Sequence, residues 1–165
     1  MGIENNLSND IYFFREAAKI AKLSLCCRDK CGAVIVLQNE IISSGFNAPP
    51  NNDEANRKCN IVFPTANRKK PKSDCTCCNH AEWNAVDAAK ATGIDLTGST
   101  LYFTRVDKGT GKIVYSGEPY CTVCSRIVLQ SGISFWKVWH DFETIRTYTA
   151  KEFNNLSYEF HLFTL

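Results

Sequence analysis

The sequence lacks any apolar run long enough to cross a bilayer, so it offers no candidate membrane helix. It also lacks an excess of one charge: 19 Lys and Arg against 17 Asp and Glu leave a net charge of +2, too little to argue for a nucleic-acid partner. No internal repeat or low-complexity tract is present, which sets aside solenoid and fibrous architectures. The opening "MGIENNLSND" has no basic flank followed by an apolar stretch, so no export signal is expected. Met1-Gly2 does not open a myristoylation site either, because Asn6 stands where Ser or Thr is needed. The expectation is a cytoplasmic protein, with residues 1–165 forming a single domain around one core. A hydrophobic content of 44% and a charged content of 22% are ordinary for that class.

Cysteine, by contrast, is abundant. There are nine, in clusters: Cys26, Cys27 and Cys31; Cys59; Cys75, Cys77 and Cys78; Cys121 and Cys124. In a reducing compartment such clusters mean metal ligation more often than disulfides.

The hydrophobic pattern predicts an α/β chain. Asn9–Cys27 reads as a helix capped by Asn9 or Asp10, with Ile11, Phe14, Ala18, Ala21 and Leu25 on one face. Cys31–Phe46 reads as a hairpin that turns at Asn39. Asn47–Asp74 is polar and reads as a long loop, of the kind that is usually functional or tied down by metal. A second helix is expected over His80–Thr92, with the small residues Ala81, Ala85, Ala88 and Ala89 on its packing face. Ser99–Val106 is strand-like, and "KIVYSG" can return beside it after the turn "DKGTG". A third helix opens at "PYCTVC" and stops at Gly132; "ISFWKVWH" is a further strand. Asp141–Asn155 is assigned to a fourth helix, and the alternation in "LSYEFHLF" to a last strand. That order implies a three-layer α/β/α sandwich around a mixed sheet of about five strands, with right-handed crossovers between parallel neighbours.

Two short motifs carry chemistry. His80 and Glu82 open the second helix, and Cys121 and Cys124 open the third. Residues three apart share a helix face, so both sulfurs can reach one ion, and the helix N-terminus favours their thiolates. One imidazole and two thiolates leave a tetrahedral ion's fourth position open, which is the arrangement of a catalytic rather than a structural zinc site. Glu82 would stand beside that position as a proton shuttle without binding metal. Each motif alone has a bland alternative. A lone H-x-E can simply decorate a helix start, and a lone C-x-x-C can be buried thiols or half of a closed zinc knot.

Together they match the H-x-E and P-C-x-x-C signature of the zinc deaminases. The order of "CGAVIV", "IISSGFNAPP", "HAEWNAV" and the Cys121/Cys124 motif resembles the cytidine and deoxycytidylate deaminase superfamily over roughly residues 10–140. "SSGFNAPP" is most similar to the G-Y-N-G-x-P stretch of deoxycytidylate deaminases, with Phe46 and Ala48 substituted. One departure is that Tyr120 separates Pro119 from Cys121. The resemblance implies the cytidine deaminase-like fold, a catalytic zinc held by His80, Cys121 and Cys124, Glu82 as acid–base, and a homo-oligomer. The implied reaction is hydrolytic deamination of a cytosine nucleotide, with dCMP giving dUMP and ammonia. It further implies that Asn47 contacts the substrate sugar and that the backbone of Ala81 contacts the base, whereas Asn84 is read as structural. Some deoxycytidylate deaminases carry a second, structural zinc. By that resemblance its ligands here would be Cys26, Cys59, Cys75 and Cys78, with Cys77 a further candidate; Cys27 and Cys31 are left without a role.

Four alternatives remain at this stage: a deaminase of cytosine or adenine in a polynucleotide, a deaminase of a free nucleoside, a non-catalytic zinc-binding scaffold, and another zinc hydrolase on this scaffold acting on a purine or pterin-like ring, which the "SSGFNAPP" match disfavours. Arg57, Lys58, Arg68, Lys69, Lys70 and Lys72 make the long loop basic, which suits either a solvated loop or a phosphate clamp. Phe63 is the one aromatic residue near them, which disfavours a stacking platform for single strands. The segment Arg105–Gly117 is longer than the link expected between a strand and the C-x-x-C helix, and could roof the site or pack against a second subunit. Trp136 and Trp139 fall on opposite strand faces and are expected in the core or an interface.

Overall fold

The computed structural model describes residues 3–59, 61 and 76–163. Strands β1 (Lys30–Leu37) and β2 (Glu40–Phe46) form the expected hairpin, with Gln38 and Asn39 at φ 50° and 66° in its tight turn. Strand β3 (Thr100–Val106) runs antiparallel to β1 on its other side. The two-residue β4 (Ile113–Val114) folds back on the end of β3, so the long segment after β3 is a hairpin arm. Strand β5 (Phe135–Trp139) lies parallel to β3, and β6 (Ile145–Thr149) closes the far edge antiparallel to β5. The sheet therefore has six strands in the order β2-β1-β3-β5-β6, with β4 attached to β3.

Strand alternation divides the core between the two faces. Val34, Val36 and Tyr102 point to one side, where Phe13, Phe14 and Ala17 of helix α1 (Ile3–Ala21) cover them. Ala33, Ile35, Leu101, Phe103, Trp136 and Val138 point to the other. There they meet α2 (Ala81–Ala91), α3 (Thr122–Ser131) and α4 (Ala150–Phe163). This is the three-layer α/β/α sandwich. Both tryptophans serve it: Trp136 stacks on Phe153 at 3.7 Å, and Trp139 packs near Phe14 at 5.4 Å.

Helix α1 begins before the expected cap and ends at Ala21, short of Cys26 and Cys27. Asp10 is interior to the helix and faces the sheet, where its carboxylate accepts from Tyr102 Oη and from Lys137 Nζ, each at 2.7 Å. After Ala21 the chain turns, and the buried Ser24 donates its hydroxyl to the carbonyl of Asn47 at 2.7 Å.

The C-terminal assignment is corrected. Residues 145–149 form a strand and 150–163 form a helix, the reverse of the sequence expectation. Thr149 and Glu152 make a reciprocal capping box: Glu152 N donates to Thr149 Oγ1 at 3.1 Å, and Thr149 N donates to Glu152 Oε2 at 2.7 Å. The alternation in "LSYEFHLF" misleads because the buried positions are Phe153 and Ser157, four apart on one helical face, while Tyr158, Phe160 and Leu162 are exposed.

Candidate metal centre and active site

Two close approaches position α2. Gly45 of β2 lies against it, so that a Cβ there would sit 2.3 Å from Ala85 N and 2.5 Å from Ala81 O. Ser43 Oγ donates to Ala85 O at 2.7 Å, and Asn84 Nδ2 donates to Phe46 O at 2.8 Å. Ahead of the helix, Ala48 and Asn79 exchange both backbone hydrogen bonds, at 3.3 and 2.9 Å. His80 is the N-cap residue of α2, with extended backbone, and Glu82 lies in its first turn. The hairpin thus delivers both side chains to one place.

Cys121 caps α3, its Sγ accepting from Cys124 N at 3.4 Å. Helix α3 ends as expected at Gly132, which takes φ 88°. Helix α4 braces α3. The hydroxyls of Ser125 and Ser157 lie 2.9 Å apart, Asn154 Nδ2 donates to Ser125 Oγ at 2.9 Å, and His161 Nε2 donates to Tyr120 O at 2.8 Å. The sequence reading missed these contacts along with the helix. They accommodate the departure at Tyr120, whose ring also packs near Phe160.

The predicted ligands converge. His80 Nδ1 lies 3.1 Å from Cys124 Sγ and 3.4 Å from Cys121 Sγ, and the three donor atoms all fall within 4.8 Å of one another. Hydrogen bonding from Cys124 and His80 pulls the Cys121 thiol down to about 4, while burial beside it pushes Cys124 up. Metal binding at such a pair requires both thiols to lose their protons. His80 is raised to about 9, chiefly by its hydrogen bond with Cys121. A half-buried imidazole and two sulfurs, with no carboxylate among the donors, is a set that fits zinc.

Glu82 is 5% exposed, and burial raises its carboxyl to about 7 against the lowering effect of His80. A carboxyl at that value beside three candidate metal donors is suited to carry a proton. Ala81 is fully buried between the two. Asn47 is also nearly buried: its Oδ1 accepts from Cys31 N and its Nδ2 donates to Asp29 O, both at 2.8 Å. One donor and one acceptor position of its amide remain. A cleft of about 200 Å³ opens beside His80, between Pro50, Cys77, Cys78, Trp83 and Val123.

A second set of thiols lies across that cleft. Cys59, Cys77 and Cys78 fall within 4.8 Å of one another, with Cys59 and Cys77 at 3.2 Å and Cys77 and Cys78 at 3.6 Å. Cys77 thus joins the group, and Cys26 is not within it. Cys75 lies outside the described residues, as do Phe63, Arg68, Lys69, Lys70 and Lys72 of the basic loop. Cys27, expected to have no role, reaches Cys59 and helps hold its thiol below the usual range, after Cys77 and Arg57. Arg57 is not a free cation: it pairs with Glu54 and donates to Cys59 and Cys78 at 3.5 and 3.7 Å.

The family model of the cytidine and deoxycytidylate deaminase zinc-binding region matches residues 7–139. The chain belongs to the cytidine and deoxycytidylate deaminase family. The deoxycytidylate deaminase of Mycobacterium phage D29 is 30% identical over 128 residues, covering 75% of this chain and 88% of its own length. The deoxycytidylate deaminase of Schizosaccharomyces pombe is 29% identical over 146 residues, 86% of this chain; the chain spans only 39% of that relative's length. The crystal structure of dCMP deaminase from the cyanophage S-TIM5 in complex with dCMP and dUMP shares the fold. Its TM-score is 0.54 at 20% identity, covering 81% of this chain and 79% of that one. The family's zinc-binding region contains all four residues of the first centre, His80, Glu82, Cys121 and Cys124. Among the described residues, no helix is long and apolar enough to cross a membrane.

Proposed function

We propose that this protein catalyses the zinc-dependent hydrolysis of a cytosine nucleotide, dCMP, to dUMP and ammonia. The observation that carries the reading is the convergence of His80, Cys121 and Cys124 beside a buried Glu82 whose carboxyl is poised near 7. Zinc held by those three residues supplies Lewis-acid activation of the attacking water. Glu82 accepts that water's proton and delivers it to N3 of the ring; it then takes the second proton from the hydroxyl now on C4, as that oxygen becomes the carbonyl, and passes it to the amine, which leaves as ammonia. Burial makes this relay efficient, because the proton has no competing solvent to reach. The N–H of Ala81 is offered to the base without side-chain obstruction, and the free donor and acceptor of Asn47 suit a sugar hydroxyl. The protein is read as a cytoplasmic homo-oligomer acting on free nucleotides.

A substrate panel tests the assignment. Zinc-loaded protein is expected to release ammonia from dCMP in preference to CMP, deoxycytidine and single-stranded DNA. Turnover of the DNA alone, or of none of the four, would overturn it.

A second, structural zinc is part of the same reading. Cys59, Cys77 and Cys78 supply three thiols, and Cys26 or Cys75 closes the set. Four thiolates leave no open position, so this ion would tie down the long loop rather than catalyse. Metal analysis is expected to give two zinc ions per chain, falling to one in Cys59→Ser with the first centre retained. One zinc in the unaltered protein would remove the second site.

A further inference from the structure

We propose that Arg105 receives the phosphate monoester of the substrate and sets the preference for a nucleotide over a nucleoside. This rests on the cytosine-nucleotide reading above.

The placement follows from strand alternation. Leu101 and Phe103 of β3 point into the layer that holds α2 and α3, and Arg105 is the next residue on that face. Its cross-strand partner is Cys31, whose amide donates to Asn47 Oδ1. Arg105 acts electrostatically on both Cys31 and Tyr120, and each of these also feels Glu82. The guanidinium therefore shares a basin with the acid–base residue. It stands at the C-terminal end of β3, which runs parallel to β5, and open α/β sheets collect their ligands at such strand ends.

The state of the guanidinium points to what it binds. Arginine stays charged and carries five donors in a fixed fork. Here Nε is buried and has no hydrogen-bond partner among the described residues, and Nη2 makes a long 3.4 Å bond to a neutral carbonyl, that of Tyr115. No carboxylate lies within ion-pair distance of Arg105 among the described residues. A half-buried guanidinium whose Nε is shielded from water and unpaired is costly, so an anion from outside completes it. The two other orphaned buried nitrogens have local accounts. Trp136 Nε1 belongs to a ring stacked in the core, and His140 Nδ1 to a ring whose Nε2 already faces Glu118 at 3.4 Å. Phosphate presents paired oxygens to the guanidinium fork. In a nucleotide, that group lies at the opposite end from the reacting ring carbon. The contact therefore acts on binding rather than on bond breaking.

The test compares dCMP with deoxycytidine as substrates of the zinc-loaded protein and of Arg105→Met and Arg105→Lys. In Arg105→Met the ratio of kcat/KM for dCMP to that for deoxycytidine is expected to fall about 100-fold, mainly through KM, with Arg105→Lys between. Inorganic phosphate is expected to inhibit the unaltered protein competitively, and this inhibition to weaken in step in the two variants. An equal loss on both substrates would overturn the inference while leaving the deaminase reading intact. So would an unaltered protein that turns over deoxycytidine as well as dCMP, a result that needs no folded variant. Turnover of neither substrate by the unaltered protein would overturn the deaminase reading, and the inference with it.

Discussion

In Glu82→Ala, zinc content is expected to stay at the unaltered level while turnover on dCMP falls about 10²- to 10⁴-fold, the range that removing a general acid–base commands. The separation of the two readouts follows from geometry. The proposed metal donors are His80 Nδ1 and the sulfurs of Cys121 and Cys124, which lie within 4.8 Å of one another, and Glu82 is not among them. The Glu82 carboxyl is nevertheless the residue whose burial holds a proton near neutral pH. Metal analysis by mass spectrometry and an ammonia-release assay on the same preparation measure both. Loss of zinc together with activity would make Glu82 a structural residue. Unchanged turnover would remove it from the chemistry.

Gly45→Ala is expected to cost about 3 kcal/mol of folding stability, the upper end for forcing a single carbon into a packed interior. It is expected to reduce catalytic zinc binding as well. The added Cβ would stand 2.3 Å from Ala85 N and 2.5 Å from Ala81 O. Both are backbone atoms of α2 that no rotamer change can move. The helix must lift as a body, taking His80 and Glu82 away from Cys121 and Cys124 on α3. Gly109→Ala is the control. Its Cβ would meet only a side-chain oxygen of Asp107 at 3.5 Å, and a surface change of that kind stays within about 0.5 kcal/mol. Urea unfolding of the two variants measures the difference. Equal stabilities would show that α2 is free to shift and that its close approach to β2 does not position the site.

The residues of the candidate metal centre were legible in the sequence because each half is a local motif at a helix start. A histidine and a glutamate two residues apart, or two cysteines three apart, keep their mutual geometry in any helix that begins there. The hairpin and the Gly132 stop were legible for the same reason, since turns and caps are properties of a few adjacent residues. The last two elements were not. "LSYEFHLF" carries apolar residues at period two and buried residues at period four, and only the surface offered by α3 and the sheet selects between them. The capping box at Thr149 and Glu152 was the missed local signal. Asp10 likewise looked like a helix cap, but becomes the buried partner of Lys137, 127 residues away.

The sequence by itself determined the donor chemistry: which residues can bind zinc, which can carry a proton, and that each group opens a helix. Only the tertiary structure decided that the two groups meet, because His80 and Cys124 stand 44 positions apart and their 3.1 Å separation depends on Gly45 drawing α2 onto the hairpin. Tertiary structure likewise left Arg105 without a counter-charge among the described residues, since strand register and the fold of the segment after β3 set what surrounds it. Local sequence fixes what a side chain can do; the packing of distant elements fixes which partner it meets.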